Sequence, residues 1–223
     1  MAAYFTPRTF TFLRALKAHN NREWFLANRQ RYLDNVEAPM LAFIGDFAGR
    51  LRGISPAFIA DPRRTGGSMF RIYRDVRFSA DKSPYKTHAA AWFPHESRKK
   101  SPSAPGFYLH IEPKEQFGGG GIYHPDPQTL ARVRLRIAGH EKDWAKVRAT
   151  GLAIEGDTLQ RAPAGFDPAH RFVDDLKRKD HYTMTEFRTS DVCGANFLDR
   201  YTAACEQAAP LVRFLTTAVG GRW

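Results

Sequence analysis

The chain has 223 residues, of which 43% are hydrophobic and 26% charged, so its composition is that of an ordinary globular protein able to bury a full core. Lysine and arginine (34 residues) outnumber aspartate and glutamate (23 residues), and the resulting net charge of +11 attracts anions and, non-specifically, nucleic acid. Two cysteines exclude a disulfide framework, and the lack of a signal peptide or a transmembrane-length segment predicts a cytoplasmic protein without membrane contact.

The first third of the chain is predicted to be helical. Pro7 can open a helix over about residues 9–19. Asn20 or Asn21 can end this helix or cap a second one over about residues 22–36. Pro39 lies within an apolar pattern of helical spacing that continues to Leu51. A third helix therefore starts near Pro39, or one long helix kinks there.

The middle of the chain predicts four strands, over residues 68–75, 87–93, 106–113 and 116–124. The last two should form a hairpin that turns at residues 113–115. With Pro113 opposite Gln116, the register would place His110 opposite Gly119 and Tyr108 opposite Gly121.

The last hundred residues return to helix. Asp126 and Pro127 are a cap and a first-turn proline for a helix to about residue 137, with a short continuation near Trp144. A helix over residues 167–179, a strand over 181–188 and a helix over 195–219, interrupted at Pro210, should follow. We therefore expect a single α+β domain over residues 1–223, with a central antiparallel or mixed sheet flanked by N-terminal and C-terminal helices.

Residues 70–88 concentrate cationic and aromatic side chains, and arginine and lysine in such a segment can bind phosphate or carboxylate groups. The predicted ligand-binding set comprises the cations Arg71, Arg74, Arg77, Lys82 and Lys86 and the aromatic residues Tyr73, Tyr85 and Tyr108. A structural explanation is equally open, in which Asp75 and Asp81 neutralise two of the arginines and hold the turn.

Four consecutive glycines, at positions 118–121, lie in the predicted hairpin beside this segment. Glycine is entropically costly in a strand, so a ligand, a second backbone or a large ring should lie against it. We accordingly add Gly119, Gly120 and Gly121 to the ligand-binding candidates, with tight packing as the alternative.

His88, His110 and Glu112 are the candidate catalytic residues, since histidine titrates near neutral pH and can exchange protons with a carboxylate. The His110-x-Glu112 spacing also permits a metal site, with His88, His124 or Asp75 as a further ligand. No metal-binding, nucleophile or nucleotide-binding motif accompanies it, so the sequence assigns no metal ligand and no cofactor.

Four segments carry a resemblance to a known family: NNREWF (20–25), FRIYRDVRFSADKSPYKTH (70–88), GFYLHIEP (106–113) and GGGGIYHP (118–125). On these segments the chain resembles a bacterial and fungal family catalogued as domain of unknown function 2461. The resemblance covers nearly the whole chain and implies one unit. It implies no activity, cofactor or catalytic residue.

These observations lead to one functional hypothesis and two alternatives. The leading hypothesis is binding of an anionic, phosphate-bearing ligand in a basic, aromatic-lined pocket, with hydrolase-type acid/base chemistry if a reaction occurs. The first alternative is a nucleic-acid-binding module, in which the basic loop at residues 98–100 follows phosphates. The second is a scaffold whose arginine–aspartate network is purely structural.

Overall fold

The structure is a computed structural model that describes residues 3–99 and 103–223. A four-stranded antiparallel sheet forms its centre. Strands β1 (Ala89–Pro94), β2 (Gly106–Glu112), β3 (Glu115–Ile122) and β4 (His181–Glu186) lie side by side in chain order. Helices precede and follow the sheet in sequence. The predicted α+β class is therefore confirmed, and all strand pairs are antiparallel.

The first two helices begin where the sequence predicts a helix start, at Pro7 and after the asparagines at positions 20 and 21. Helix α1 (Pro7–Ala18) follows a capping box at Thr6, and α2 (Arg22–Ala27) follows Asn21, whose side chain accepts a hydrogen bond from the Trp24 N–H. A single helix over residues 22–36 was a wrong prediction, because the chain breaks at Asn28 into α2, α3 (Arg29–Tyr32) and a π-helical turn (Leu33–Glu37).

Helix α4 (Ala38–Ile54) continues directly from this π-helical turn. Pro39 lies in its first turn, where the missing N–H removes no hydrogen bond within α4. The helix buries Phe43 and Phe47 against the sheet side of the core, where the Phe47 ring lies 4.8 Å from that of Phe93 in β1.

The regular strand predicted over residues 68–75 does not form. This segment pairs with β1 only briefly, through hydrogen bonds from the Phe70 N–H to the Ala90 carbonyl (2.9 Å) and from the Trp92 N–H to the Ser68 carbonyl (2.9 Å). It then folds back on itself, since the Lys86 N–H donates to the Ile72 carbonyl at 2.8 Å. Residues 74–84 therefore form a separate loop, and the side chains of 68–77 do not share two continuous faces.

The predicted hairpin of β2 and β3 is present, but its register differs by two residues from the prediction. Tyr108 pairs with Gly119, and His110 pairs with Phe117. The difference arises because the two-residue turn lies one position earlier than predicted, at residues 113–114 instead of 114–115, with Glu112 and Glu115 as the last pair. A shift of two positions keeps every side chain on its predicted face but places a ring, not a glycine, opposite His110.

The inner face of the sheet packs on α9 (Phe197–Ala218). Phe107, Leu109 and Ile111 are fully buried there. The glycines of β3 admit this helix, because a Cβ at Gly118 would lie 2.5 Å from the Tyr201 ring and one at Gly120 would lie 2.7 Å from the Val212 side chain. Close packing therefore accounts for both glycines without a ligand.

The remaining helices are α5 (Pro127–Gly139), α6 (Glu141–Ala149), α7 (Val173–Leu176) and α8 (Thr189–Val192). Asp126 caps α5 as predicted. The helix predicted over residues 167–179 is wrong except for α7, because the Asp167 side chain accepts from the Ala169 N–H and closes a local turn. The predicted interruption at Pro210 is also wrong, since α9 continues through it with Leu211 and Val212 fully buried.

Two clusters of buried side chains form the core. The larger one joins α1, α4, the inner sheet face and α9, and the smaller one surrounds Trp144 of α6, with Ile137, Leu176 and Leu215. Helix α9 contributes to both clusters. Within the described ranges, no helix is long and apolar enough to span a membrane.

His181 at the start of β4 should make folding stability depend on pH. Burial lowers the pKa of its imidazole from 6.5 to about 4, and the charges of Arg178 and Arg134 add to this effect. The hydrogen bond from Nε2 to the Asp175 carbonyl, at 3.1 Å, and the charge of Asp180 oppose it. Below pH 6.5 the unfolded chain binds a proton that the folded chain excludes down to pH 4. The contribution of His181 to stability should therefore be intact above pH 6.5 and fall by about 2 kcal/mol between pH 7 and pH 5.

Urea unfolding at pH 7 and pH 5 measures this effect. His181→Asn should remove most of the contribution of this residue, whereas His140→Ala, at an exposed position, should keep the wild-type pH dependence. The same pH dependence in wild type and His181→Asn would show that the buried imidazole is protonated in the folded protein.

Candidate functional site

The outer face of the sheet, turned away from α9, forms the floor of a cleft of about 890 Å³. Trp92, Tyr108 and Met184 lie in one row across this floor. The row follows from the sheet register, because Trp92 pairs with Tyr108, Tyr108 with Gly119 of β3, and Gly119 with Met184. The indole of Trp92 lies over Gly106, where a Cβ would be 2.2 Å from the indole Nε1, so glycine leaves room for this ring on the floor.

A second row of the floor contains His110 and Phe117, whose rings stack at 4.8 Å with an angle of 4° between their planes. Tyr108 lies beside both, and the ring of Phe70, which is 41% exposed, meets it edge-on at 6.2 Å. Tyr123 and Tyr182 extend the lining at the other end. The cleft is thus an aromatic-lined concavity that remains open to water.

The charged side chains that line the cleft are acidic, in contrast to the basic lining that the sequence predicts. They are Glu115, Glu155 and Glu186, and no lysine or arginine among residues 3–99 and 103–223 joins them. Of the predicted cations, Arg71 lines one neighbouring depression, and Arg74 and Lys86 line another. The aromatic part of the predicted pocket and its basic part are therefore separate but adjacent.

Three of the five predicted cations are bound within their own loop. Arg74 forms an ion pair with Asp81, and Arg77 forms one with Asp75 at 2.7 Å. Lys82 Nζ donates to the Val76 carbonyl at 3.0 Å. Arg74 and Arg77 therefore have the carboxylate partners that the structural explanation of this motif requires.

Arg71 and Lys86 differ from these three, since neither has a carboxylate within 4.0 Å in the part of the chain that the structure describes. Lys86 Nζ lies 4.9 Å from the centre of the Phe70 ring, and burial, with help from Arg71, lowers the pKa of its ammonium group. Arg71 lines a depression of about 620 Å³ that shares Phe70 and Trp92 with the cleft. These two cations are therefore available at the Phe70 end of the cleft.

The predicted tyrosines divide between the core and the site. Tyr85 is buried and stacks on Phe25 at 4.1 Å, so it is a core residue. Tyr73 lies 5.5 Å from Tyr85 and is half exposed, away from the cleft. Of the predicted glycines, Gly120 and Gly121 line the cleft. Gly119 lies in register between Tyr108 and Met184 but is buried and does not line it.

The three predicted catalytic residues lie together at one end of the sheet, where β1 begins and β2 ends. The rings of His88 and His110 are 4.4 Å apart, and His110 Nε2 lies 3.6 Å from Glu112 Oε2. Glu112 Oε1 accepts from the Thr87 hydroxyl at 3.2 Å and lies 3.5 Å from Lys17 Nζ. His110 lines the cleft, whereas His88 lines a separate depression.

Burial controls the protonation of this histidine pair. It lowers the pKa of His88 to about 4, with the neighbouring His110 and Lys86 adding to the effect and Glu112 opposing it. It also lowers the pKa of His110, against the opposing influence of Glu112. Both imidazoles are consequently neutral at pH 7 and offer lone pairs rather than positive charge.

Sequence reasoning missed most of the cleft lining. Phe70, Trp92, Phe117, Tyr182 and Met184 were not among the site candidates, although four of them occupy outward positions of strands. The signal that could have found Trp92 and Phe117 is the strand alternation that already placed Tyr108 and His110 outward. Tyr182 and Met184 depend on the pairing of β4 with β3, over 60 positions earlier in the chain.

A model of the family described as "Conserved hypothetical protein (DUF2461)" matches residues 8–214 of the 223. The chain belongs to the DUF2461 family. This confirms the resemblance drawn from the four sequence segments, and the match spans the whole sheet of this DUF2461 chain, with its cleft and its histidine pair. No curated protein matches the chain significantly.

Proposed function

We propose that the protein binds a small organic anion whose planar or apolar part lies in the aromatic cleft and whose phosphate or carboxylate group reaches Arg71 and Lys86. The observation that carries this proposal is the position of Phe70. Its ring lines both the cleft and the depression that contains Arg71, and Lys86 lies against it. One ligand can therefore contact aromatic rings and both cations.

The cleft has the properties of small-molecule sites. Its volume of about 890 Å³ falls within the usual range, and most of its floor is aromatic or aliphatic, with a few polar groups that can fix orientation. Glu115, Glu155 and Glu186 would repel a second anionic group in the cleft itself. The charges thus favour one orientation, with the anionic group outside the cleft at Arg71.

Hydrolase-type chemistry is the reaction class that the adjacent trio His88, His110 and Glu112 would support. His110 lines the cleft, so a bound ligand would lie beside its imidazole ring. Because its pKa is lowered, it would accept a proton at pH 7 rather than donate one.

Ligand-observed NMR with phenyl phosphate, adenosine 5′-monophosphate and uncharged adenosine tests this proposal. The two phosphates should bind, and Arg71→Ala should weaken them about tenfold, because it removes a charged hydrogen-bond donor. Tyr108→Leu should weaken the phosphates and adenosine alike. Arg77→Ala is the matched control, since this arginine of the same segment is paired with Asp75; its affinities should equal those of wild type.

Wild-type affinities in both Arg71→Ala and Tyr108→Leu would refute the site. Binding of no probe, together with a large loss of stability in Arg77→Ala, would favour the scaffold alternative.

One observation favours nucleic acid as a second candidate ligand. Phe78 is 95% exposed at the tip of the 74–84 loop, with the Arg77 guanidinium 5.8 Å from its ring centre, and such pairs stack on single-stranded bases. The side chains of residues 98–100, which that hypothesis also invokes, lie outside the described residues. Affinity that falls steeply with salt and is lost in Phe78→Ala would support it.

A cytoplasmic location stays a proposal. It is supported by Cys193 and Cys205, both of which are free thiols.

A further inference from the structure

Three side chains with metal-ligating atoms occupy neighbouring outward positions at one end of the sheet. β1 and β2 pair so that Ala90 is opposite His110 and Ala89 is opposite Ile111. Continuing that register by one step places His88 opposite Glu112. Since His110 and Glu112 are two residues apart on β2, the backbone directs all three side chains to the same face.

The ligand atoms of this trio are close enough to share one ion. One nitrogen of His88, one of His110 and one carboxylate oxygen of Glu112 all lie within 4.8 Å of one another. Around a tetrahedral ion with bonds of about 2.0–2.1 Å, such atoms would be separated by about 3.3 Å. His110 Nε2 and Glu112 Oε2 are already 3.6 Å apart, and no pair of ligand atoms needs to approach by more than about 1.5 Å to complete the site.

His110 provides an independent indication that a partner is missing. Its Nε2 is buried and has no hydrogen-bond partner among residues 3–99 and 103–223, and the residue is only 8% exposed. Buried polar atoms are nearly always satisfied, so this nitrogen requires an explanation. On the other side of the ring, Nδ1 lies 3.1 Å from the Tyr108 hydroxyl. If Nδ1–H donates to Tyr108, the Nε2 lone pair points at the trio, which is the arrangement of metal-bound histidines.

Glu112 is arranged in the same way. Its Oε1 is held by the Thr87 hydroxyl and Lys17, which leaves Oε2 directed toward His110. Lys17, which is paired with Glu112, and Lys86, whose charge acts on His88, would both oppose a bound metal, but the Lys17 side chain is 64% exposed and can move into water.

We propose that His88, His110 and Glu112 bind one divalent first-row transition-metal ion. Two imidazoles favour Zn²⁺, Fe²⁺, Co²⁺ or Ni²⁺ over Ca²⁺ and Mg²⁺, which take oxygen ligands. Three protein ligands leave at least one coordination position for water or a ligand. His110 borders the cleft, so that position is next to the space in which a small molecule fits.

The other potential ligands that the sequence suggested do not join this group. Asp75 is paired with Arg77, and His124 is not among the residues whose ligand atoms cluster in the part of the chain that the structure describes. The inference does not depend on ligand binding in the cleft, because its test uses metal alone.

The test is titration of chelator-treated protein with Zn²⁺ by calorimetry and with Co²⁺ by visible absorption. Wild type should bind one ion per chain, and the Co²⁺ complex should show the absorption bands of nitrogen and oxygen coordination. His110→Ala and Glu112→Gln should each weaken binding at least about 100-fold, because each removes a direct ligand.

His140→Ala is the control, since His140 is exposed between α5 and α6 and should leave the affinity unchanged. Circular dichroism verifies that each variant is folded. If a variant does not fold, X-ray absorption of the wild-type Zn²⁺ complex decides, with two imidazoles in the first shell as the expected result. Failure of wild type to bind either ion, or unchanged binding in folded His110→Ala and Glu112→Gln, would overturn the proposal.

Discussion

Replacing Gly121 with alanine should lower the free energy of unfolding by at least about 3 kcal/mol. Gly121 in β3 has a φ of +150°, which L side chains rarely adopt, and a Cβ there would lie 2.2 Å from the His181 carbonyl of the paired strand β4. The clash involves backbone, so it can be relieved only by separating the two strands. Urea or thermal unfolding measures the loss.

Gly49→Ala is the matched control for Gly121→Ala. Gly49 lies in α4, and nothing lies within 4 Å of the position that its Cβ would take. Alanine should stabilise the protein there by about 0.5–1 kcal/mol, because it favours helix over the unfolded chain. A Gly121→Ala variant as stable as wild type would show that β3 and β4 are not paired as described.

Replacing Asp175 with alanine should cost about 3–5 kcal/mol of folding stability. Its carboxylate is buried beside the smaller core cluster, accepts a hydrogen bond from the Trp144 indole at 2.8 Å, and lies 3.7 Å from both Arg148 and Arg178. Without it, the buried Trp144 indole N–H would lose its acceptor, and the Arg178 guanidinium would lose its ion-pair partner.

Asp174→Ala provides the matched control for Asp175→Ala. Asp174 is the preceding residue of α7, but its side chain is 89% exposed and paired only with Lys177, so the change should stay within about 0.5 kcal/mol. Equal losses in the two variants would contradict a structural role of the buried carboxylate.

The Asp175→Ala variant also tests domain organisation. We propose that residues 1–223 fold as one domain, because α9 contributes to both core clusters. Destabilisation in the smaller cluster should then shift the whole far-UV circular dichroism transition. Two separate transitions, of which only one moves, would indicate two independent units.

Local sequence signals predicted those parts of the fold that depend on neighbouring residues. Pro7, Asn21 and Asp126 mark helix starts that the structure contains, and the alternation in β2 correctly separates its inner face from its outer face. The hairpin register was wrong by two residues because it depends on where the turn lies, and moving the turn by one position leaves the alternation of faces unchanged.

The segment 68–88 shows where local reasoning fails. Its alternating residues resemble a strand, but the segment pairs with β1 only near Met69. It then continues into a loop in which Arg74 and Asp81 form an ion pair. Charge density alone could not tell which cations remain unpaired, because that depends on where Asp75 and Asp81 lie in three dimensions. Arg71 and Lys86 could be singled out only from the structure.

The candidate site was half predictable for the same reason. Tyr108, His110 and Glu112 follow from the alternation of a single strand, and all three lie on the outer face. Trp92 and Met184 reach the same cleft only through the pairing of strands that are far apart in sequence. His88 joins the trio through the register of β1 against β2, which a single sequence does not specify.

A crystal structure of the protein soaked with phenyl phosphate tests most directly whether the outer sheet face is a ligand site. We expect the phenyl ring in the cleft against Tyr108 and the phosphate within hydrogen-bonding distance of Arg71 or Lys86. An empty cleft, with phosphate bound only at the 74–84 loop or elsewhere on the surface, would contradict the proposed function.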